Sequence, residues 1–309
     1  ADMRGQKSVF GAVGLVILIA AAVPAPIEAQ LAADWMVPAA AHNRGSQDTF
    51  WKTDVSLHNP HEFDLPVVVQ VLPSDSVNLE VPTLTFTIYP WETISLWDVL
   101  GPDVFDAQGT AAVIAYADPS LQCDPIEDCH FLVTSRTYTP GEGGVGEYGL
   151  TVPGAAVSSA TDWISYGYAA GILNDGESFR CNAGVASWTP ERTSVRLDIQ
   201  NGNGEILTSE TFDVPPFGHV QRRLPPSGNG GSLVFYLESG PDDASVFPYA
   251  TVINQQTGDA SYLFASSSVV GESVAKIRKT VESRPRAPTA SASVIERVRG
   301  RQRPDNRLK

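Results

Sequence analysis

Two histidines and several paired carboxylates are the side chains of this sequence whose spacing could support chemistry. His58 and His61 lie three positions apart, but the intervening Asn59-Pro60 favours a turn over a helix, so the imidazoles need not share a face. Two acidic pairs could bind a cation weakly, namely Asp242-Asp243 and Asp124 with Asp128. In a sequence this acidic, such pairs are more typical of surface charge.

The glycine-rich segment at residues 141–146 resembles a phosphate-binding loop in glycine content alone. It lacks the Lys-Ser/Thr and the helix that should follow, and Glu142 and Glu147 would repel a phosphate. The sequence also lacks the spacing of a serine-hydrolase elbow, a zinc-protease helix and a calcium loop. We therefore expect no catalytic residue, cofactor or metal ion. The enzymatic alternative, a secreted hydrolase or its accessory domain, rests on the abundance of Asp and Glu.

Three cysteines differ in their expected roles. Cys123 and Cys129 flank five residues, a spacing that predicts a local disulfide in an exported protein. A metal site formed by both thiols and His130 is the alternative, although no second ligand pair accompanies it. Cys181 falls at an inward position equivalent to Thr53, which predicts a buried thiol.

Aromatic side chains near the predicted strand ends could form a platform for sugar rings. The candidates are Trp35, Trp51, Trp91, Trp188 and Phe217. Trp91 and Phe217 follow prolines in two turns that match each other, which favours a structural plug at the end of a β-sandwich. A ligand platform, which needs exposed rings, is the alternative.

Residues 1–29 have the order of a secretory signal peptide. Arg4 and Lys7 precede an apolar run at residues 9–23, and small residues follow up to Ala29. A retained anchor is the alternative, but the run is shorter than the roughly 20 residues that span a bilayer. We expect secretion or the cell surface in preference to the periplasm, with membrane contact only through an uncleaved signal peptide.

The charge is divided unevenly along the chain. Residues 30–275 contain 30 acidic and 8 basic side chains, a net charge of −22 that disfavours nucleic acid. Residues 276–309 contain 11 basic and 3 acidic side chains, a net charge of +8. The proline, serine and alanine content of this tail predicts disorder.

Arginine outnumbers lysine in the tail, and its planar fork suits carboxylate and phosphate groups. The tail contacts that we single out are Arg297, Arg299, Arg301, Arg303 and Arg307. The expected partner is an anionic cell-surface polymer or the acidic body of another copy of the chain. Neutralisation of the body without any partner is the alternative.

The middle of the sequence is repeated. Residues 51–57, 86–91, 109–115 and 131–135 align in order with residues 179–185, 212–217, 231–237 and 247–251. The repeated segments are short, and many alternate apolar with polar residues between turn formers, which is typical of antiparallel sheets. We predict an all-β protein with two tandem immunoglobulin-like antiparallel β-sandwich domains, at residues 30–155 and 156–275, between the cleaved leader and the disordered tail.

Part of this pattern is similar to modules of exported bacterial proteins. The similarity rests on four segments: Phe-Trp-Lys-Thr-Asp-Val-Ser-Leu-His-Asn-Pro at residues 50–60, the apolar run at residues 66–71, Tyr89-Pro90, and residues 96–100. They resemble immunoglobulin-like sandwiches of the cell-adhesion-related and pilus-chaperone-like classes, over about residues 33–265. The second copy departs at Ser187-Trp188, where the first has Asn59-Pro60.

The resemblance implies a non-catalytic surface or extracellular-matrix protein that acts in adhesion, binding or assembly. A polysaccharide-binding module, or an accessory domain of a secreted hydrolase, is the alternative. No catalytic residue is carried over by the resemblance.

Overall fold

The computed structural model describes residues 31–45, 49–119, 129–141 and 145–269. The predicted signal peptide, Cys123 and the basic tail lie outside the described residues. Within these ranges the chain forms eighteen strands and a short 3-10 turn (Val157–Ser159), with no α-helix, and the strands pair antiparallel throughout. The prediction of an all-β protein is confirmed.

Nine strands belong to residues 31–156, which we call the first half. They are β1 (Asp34–Arg44), β2 (Phe50–His58), β3 (Leu65–Pro73), β4 (Thr83–Ile88), β5 (Thr93–Leu96), β6 (Gly109–Ala117), β7 (Leu132–Pro140), β8 (Glu147–Pro153) and β9 (Ala155–Ala156). One layer has the order β4-β3-β6-β1, with β9 beside β1, and the other has β5-β2-β7-β8.

Period-two alternation places the apolar side chains of the first half between these two layers. Val67, Val69 and Val71 of β3 point inward, where they meet Val55 and Leu57 of β2 in one buried cluster. This face-to-face packing is consistent with a β-sandwich. At its far end β1 also pairs with β2, so the two layers are joined at one corner.

Residues 165–269, the second half, repeat this pattern of pairing. Their strands are β10 (Ser165–Asn174), β11 (Phe179–Ser187), β12 (Thr193–Gln200), β13 (Ile206–Val214), β14 (His219–Arg223), β15 (Gly228–Ser239), β16 (Val246–Asn254), β17 (Ala260–Phe264) and β18 (Ser266–Val269). The two sheets run β13-β12-β15-β10-β18 and β14-β11-β16-β17. Each strand of the second half therefore corresponds to the first-half strand whose number is nine lower, as β10 does to β1. Only the pairing of β1 with β2 has no equivalent in the second half.

The two halves share a third apolar cluster. The outer face of β1, β3 and β6 contributes Met36, Leu72 and Ile114, while the second half contributes Trp188 and Phe247. All five side chains are at most 1% exposed. Because β-sheet side chains alternate, these strands are apolar on both faces, and the second face is buried by the partner half.

Hydrogen bonds fix the position of the β3–β4 loop on the second half. The Asn78 backbone N–H donates to the Pro216 carbonyl (3.0 Å), and the Asn78 side-chain amide donates to the Phe217 carbonyl (3.0 Å). The Asp75 N–H donates to the His219 carbonyl (2.8 Å). The halves are thus held by directional contacts in addition to apolar burial.

An arginine-lined cleft as the candidate functional site

A cleft of about 460 Å³ lies between the two halves. On the first-half side it is lined by the end of β1, by Gly45 and Thr49 of the β1–β2 connection, and by β8. On the second-half side it is lined by β11, β14, β16 and the start of β17. Four arginines are among the lining residues: Arg44, Arg180, Arg222 and Arg223. We call this site the arginine cleft.

Strand alternation explains why Arg180 points away from its own core. On β11, Cys181 and Ala183 face inward and are fully buried, so Arg180 and Asn182 project from the opposite face. Arg223 of β14 lies directly opposite Asn182 in the antiparallel register, which places it on the same face. The pairing of β11 with β14 therefore brings two positive side chains together.

Burial and a neighbouring cation both disfavour the positive charge of Arg180. Burial, followed by repulsion from Arg223, lowers the pKa of Arg180 from its ordinary value. Its guanidinium donates to the Asn182 side-chain carbonyl (3.2 Å), a neutral acceptor. Within the described residues, no carboxylate lies within 4.0 Å of Arg44, Arg180 or Arg223. An anionic group in the cleft would compensate this desolvated charge.

Four of the eight basic side chains at residues 30–275 line the cleft. Of the other four, Lys52, Arg136 and Arg196 each have an acidic partner, and Arg192 is exposed on a loop. None of the described lining residues is acidic. Arg222 is held at the rim, where its guanidinium donates to the Thr211 carbonyl (3.1 Å) and lies 5.2 Å from the Phe212 ring centre.

The remaining lining residues can supply an aromatic face and neutral hydrogen bonds. Trp51 is partly buried at the cleft, and a side chain on Gly45 would collide with its indole. Asn43, Asn182 and Gln221 offer amide donors and acceptors. The cleft therefore combines forked cations for carboxylate or phosphate, a ring for stacking, and amides for hydroxyl groups.

The structure separates the five aromatic residues that the sequence proposed as a platform. Trp35 (2% exposed), Trp188 (0%) and Phe217 (4%) are buried and do not present their rings to solvent. Trp35 packs in the first core and donates its indole N–H to the Ala32 and Phe131 carbonyls. Trp51 lies at the arginine cleft, and Trp91 is 60% exposed on a separate turn. No common platform is formed.

The histidine and cysteine candidates have structural surroundings. His58 Nδ1 lies 2.9 Å from the Thr93 hydroxyl, and His61 Nε2 lies 2.6 Å from the His130 carbonyl. Cys181 is fully buried, and burial raises the pKa of its thiol to about 12. Cys129 is buried in the first core, but Cys123 lies outside the described residues, so their disulfide stays a prediction. Across the described ranges no group of three His, Cys, Asp or Glu side chains could hold a metal ion.

A buried polar chain that sequence reasoning missed connects the halves beside the cleft. The Ser74 hydroxyl lies 2.6 Å from His219 Nδ1, and His219 Nε2 lies 2.7 Å from the Tyr249 hydroxyl. His219 and Tyr249 are fully buried, and burial lowers the pKa of His219 to about 3. A catalytic Ser-His-Asp triad has a carboxylate at the second ring nitrogen of its histidine, whereas His219 has the Tyr249 hydroxyl there. The polar chain from Ser74 through His219 to Tyr249 is therefore suited to joining the halves.

Comparisons of the chain with protein-family models and with curated proteins gave no match. No helix in the described part of the chain is long and apolar enough to cross a membrane. The arginine cleft could have been suspected from one sequence signal, the scarcity of basic residues in an acidic body. Its assembly depends on the register of β11 with β14 and on the docking of the halves, which the sequence pattern does not specify.

Proposed function

We propose that this chain is an exported, non-catalytic binding protein of two tandem immunoglobulin-like β-sandwich domains, and that it holds an acidic polysaccharide in the arginine cleft. The observation that supports the proposal most strongly is the convergence of Arg44, Arg180 and Arg223, without a described acidic partner, on a cleft of about 460 Å³. A cleft of this volume suits a ligand the size of a short oligosaccharide.

Charge and chemistry favour a carbohydrate over a more densely charged polyanion. The acidic body, at −22 over residues 30–275, repels polymers with one phosphate per few ångströms. A uronic-acid chain carries its carboxylates at wider spacing and presents ring faces and hydroxyl groups between them. Arg180 and Arg223 would bind a carboxylate, while Trp51, Asn182 and Gln221 would contact the sugar rings and hydroxyls.

The proposal extends to adhesion through the basic tail. The cleft and the +8 tail are both suited to anionic polymers, so one protein could hold a matrix polysaccharide in the cleft and a cell-surface polymer with Arg297, Arg299 and Arg301. The two contacts should respond differently to salt. Ion pairs that form in the partly buried cleft are screened less than those of exposed arginines.

A binding panel tests the proposal. Residues 30–309 are applied to oligomers of galacturonate, mannuronate and guluronate, beside methyl-esterified oligogalacturonate as a neutral control. We expect binding to the acid forms only, reduced about tenfold or more by Arg180→Gln or Arg223→Gln. The exposed Arg192→Gln is the matched control and should bind as the unmodified protein does.

Equal binding of the acid and esterified oligomers, or equal binding by all the variants, would overturn the assignment of the cleft. Assay of new reducing ends in the same samples tests the hydrolase alternative. Their appearance would replace the non-catalytic function with turnover of the bound polymer.

A further inference from the structure

The interface between the halves provides a template for contacts between molecules. Within the chain, a turn of the second half (residues 215–218) packs against the outer face of the first half's β4-β3-β6-β1 sheet. The same strand pairings occur in both halves, so each side of this interface has an equivalent elsewhere on the molecule. The equivalent turn is residues 89–92, and the equivalent sheet is β13-β12-β15-β10.

The two turns share an unusual backbone conformation. Each has proline at its second position and an i+3 to i hydrogen bond, of 3.0 Å from Glu92 to Tyr89 and of 2.8 Å from Gly218 to Pro215. The third residue has a positive φ in both, +60° at Trp91 and +44° at Phe217, the pattern of a type II turn. Glycine is preferred at this position, so an aromatic residue there carries a conformational cost.

The two aromatic residues differ in what covers them. Phe217 is 4% exposed because it inserts among Leu72, Val81 and Ile114 of the first half. Trp91 is 60% exposed, and Tyr89 beside it is 49% exposed. In the described molecule, burial offsets the backbone cost at Phe217 but not at Trp91.

The sheet equivalent to the receiving face is exposed only in part: Tyr236 is half-buried, and Asp198, the counterpart of Leu72, is buried beside it. In the first half, Met36 of β1 lies opposite Ile114 of β6, and both are buried under the second half. The residues that follow the same register in the second half are Tyr166 of β10 and Tyr236 of β15, whose ring centres are 5.7 Å apart. Tyr166 and the adjacent Tyr168 are 46% and 44% exposed. We call these three rings the tyrosine face.

We propose that the turn bearing Trp91 docks on the tyrosine face of a second copy of this chain. Molecules then associate head to tail, with the first half of one copy packed against the second half of another. The contact continues the internal interface and leaves one turn and one tyrosine face open at the two ends of an open chain. Such a heterologous contact builds open chains or rings, depending on whether its rotation closes.

Charge and chain path also favour a second copy as the partner. β18 pairs with β10 at the edge of the tyrosine face, and the +8 segment at residues 276–309 follows β18 in the sequence. Each copy therefore combines an acidic body of net −22 with a basic segment of the opposite charge. Attraction between the basic segment of one copy and the body of another would offset the mutual repulsion of two acidic bodies.

Complementation between two single-sided variants tests this contact. Trp91→Gly removes the ring without backbone strain, and Tyr166→Ser with Tyr168→Ser removes the tyrosine face. In sedimentation velocity at low salt, residues 30–309 should form concentration-dependent oligomers, and each variant alone should associate about tenfold or more weakly. A mixture of the two variants retains one intact turn and one intact face, so it should form dimers that go no further.

Trp97→Ser, at another 44% exposed tryptophan, is the matched control and should associate as the unmodified protein does. Three outcomes would overturn the contact: a monomer at every soluble concentration, no dimer in the variant mixture, or a symmetric dimer that both variants still form. Neutralising Arg297, Arg299, Arg301, Arg303 and Arg307 to Gln should weaken the oligomers at low salt. Stronger association of this variant would show that the tail itself covers the tyrosine face, and would also overturn the proposal.

Discussion

Arg180 shows at the scale of one residue how a binding site opposes stability. Its guanidinium is partly desolvated beside Arg223, and its pKa is lowered, which means that the charged form is disfavoured in the folded protein. We expect Arg180→Gln to raise the thermal midpoint of the ligand-free protein while weakening anion binding. Differential scanning calorimetry with and without an oligouronate measures both effects. A lower midpoint in the ligand-free variant would mean that Arg180 has a structural role that outweighs its repulsion.

His219 makes stability depend on pH. Its folded-state pKa of about 3 lies below the ordinary value of 6.5, so between these values the unfolded chain binds more protons. Stability from this group is therefore fully present above pH 6.5 and falls as the pH falls towards 3, by at most about 1.4 kcal/mol per unit. Urea unfolding at pH 7 and pH 5 should show a smaller loss for His219→Gln than for the unmodified protein.

Equal losses for the two proteins would contradict a buried neutral imidazole. Burial provides the physical reason for the expected difference, because a protonated ring would carry its charge away from water. Within the described residues, no carboxylate lies close enough to His219 to compensate that charge. The link between the halves should therefore weaken before the sandwich cores do.

At the scale of elements, the two matched proline turns respond in opposite ways to one substitution. Trp91→Gly removes an exposed ring and relieves a positive φ, so we expect a stability gain of about 1 kcal/mol. Phe217→Gly relieves a similar φ but removes a buried ring, so we expect a loss of about 3 kcal/mol. Guanidinium unfolding of both variants in dilute solution measures the contrast. Destabilisation by Trp91→Gly in the monomer would show that its indole is packed within its own chain.

Element by element, the sequence predicted those strands that belong to its repeated apolar segments. The repeated segments at residues 51–57, 109–115 and 179–185 lie within β2, β6 and β11. β8 and β18 were missed because β8 is largely exposed and β18 begins with three serines, so neither alternates apolar with polar residues. Both are edge strands that are positioned by their neighbours rather than by their own pattern.

The candidate site was less accessible to sequence reasoning than the strands were. Arg44, Arg180 and Arg223 are far apart in the chain and become neighbours only through strand register and the docking of the halves. Aromatic type alone did not separate Trp188, fully buried between the halves, from Trp51 at the cleft. The division of the chain into two domains, at residues 30–155 and 156–275, stays a prediction.

For the molecule as a whole, the apolar cluster between the halves sets the geometry of the cleft. Trp188 is fully buried there, and Trp188→Ala should cost about 3–5 kcal/mol and allow the halves to separate. We expect its chemical unfolding to become broader or to resolve into two steps, with loss of oligouronate binding. Val195→Ala, within the second core, is the control and should destabilise without loosening the cleft. Unchanged ligand binding by Trp188→Ala would show that one half alone holds the site.

We propose that partly buried arginines between the halves hold an anionic sugar chain, and calorimetric titration of residues 30–309 with oligogalacturonate over a range of salt concentrations is the decisive measurement. We expect the affinity to fall as the salt concentration rises. Arg180→Gln and Arg223→Gln should bind more weakly and with a shallower salt dependence, because each variant removes one ionic contact. An affinity and a salt dependence shared by both variants and the unmodified protein would contradict this proposal.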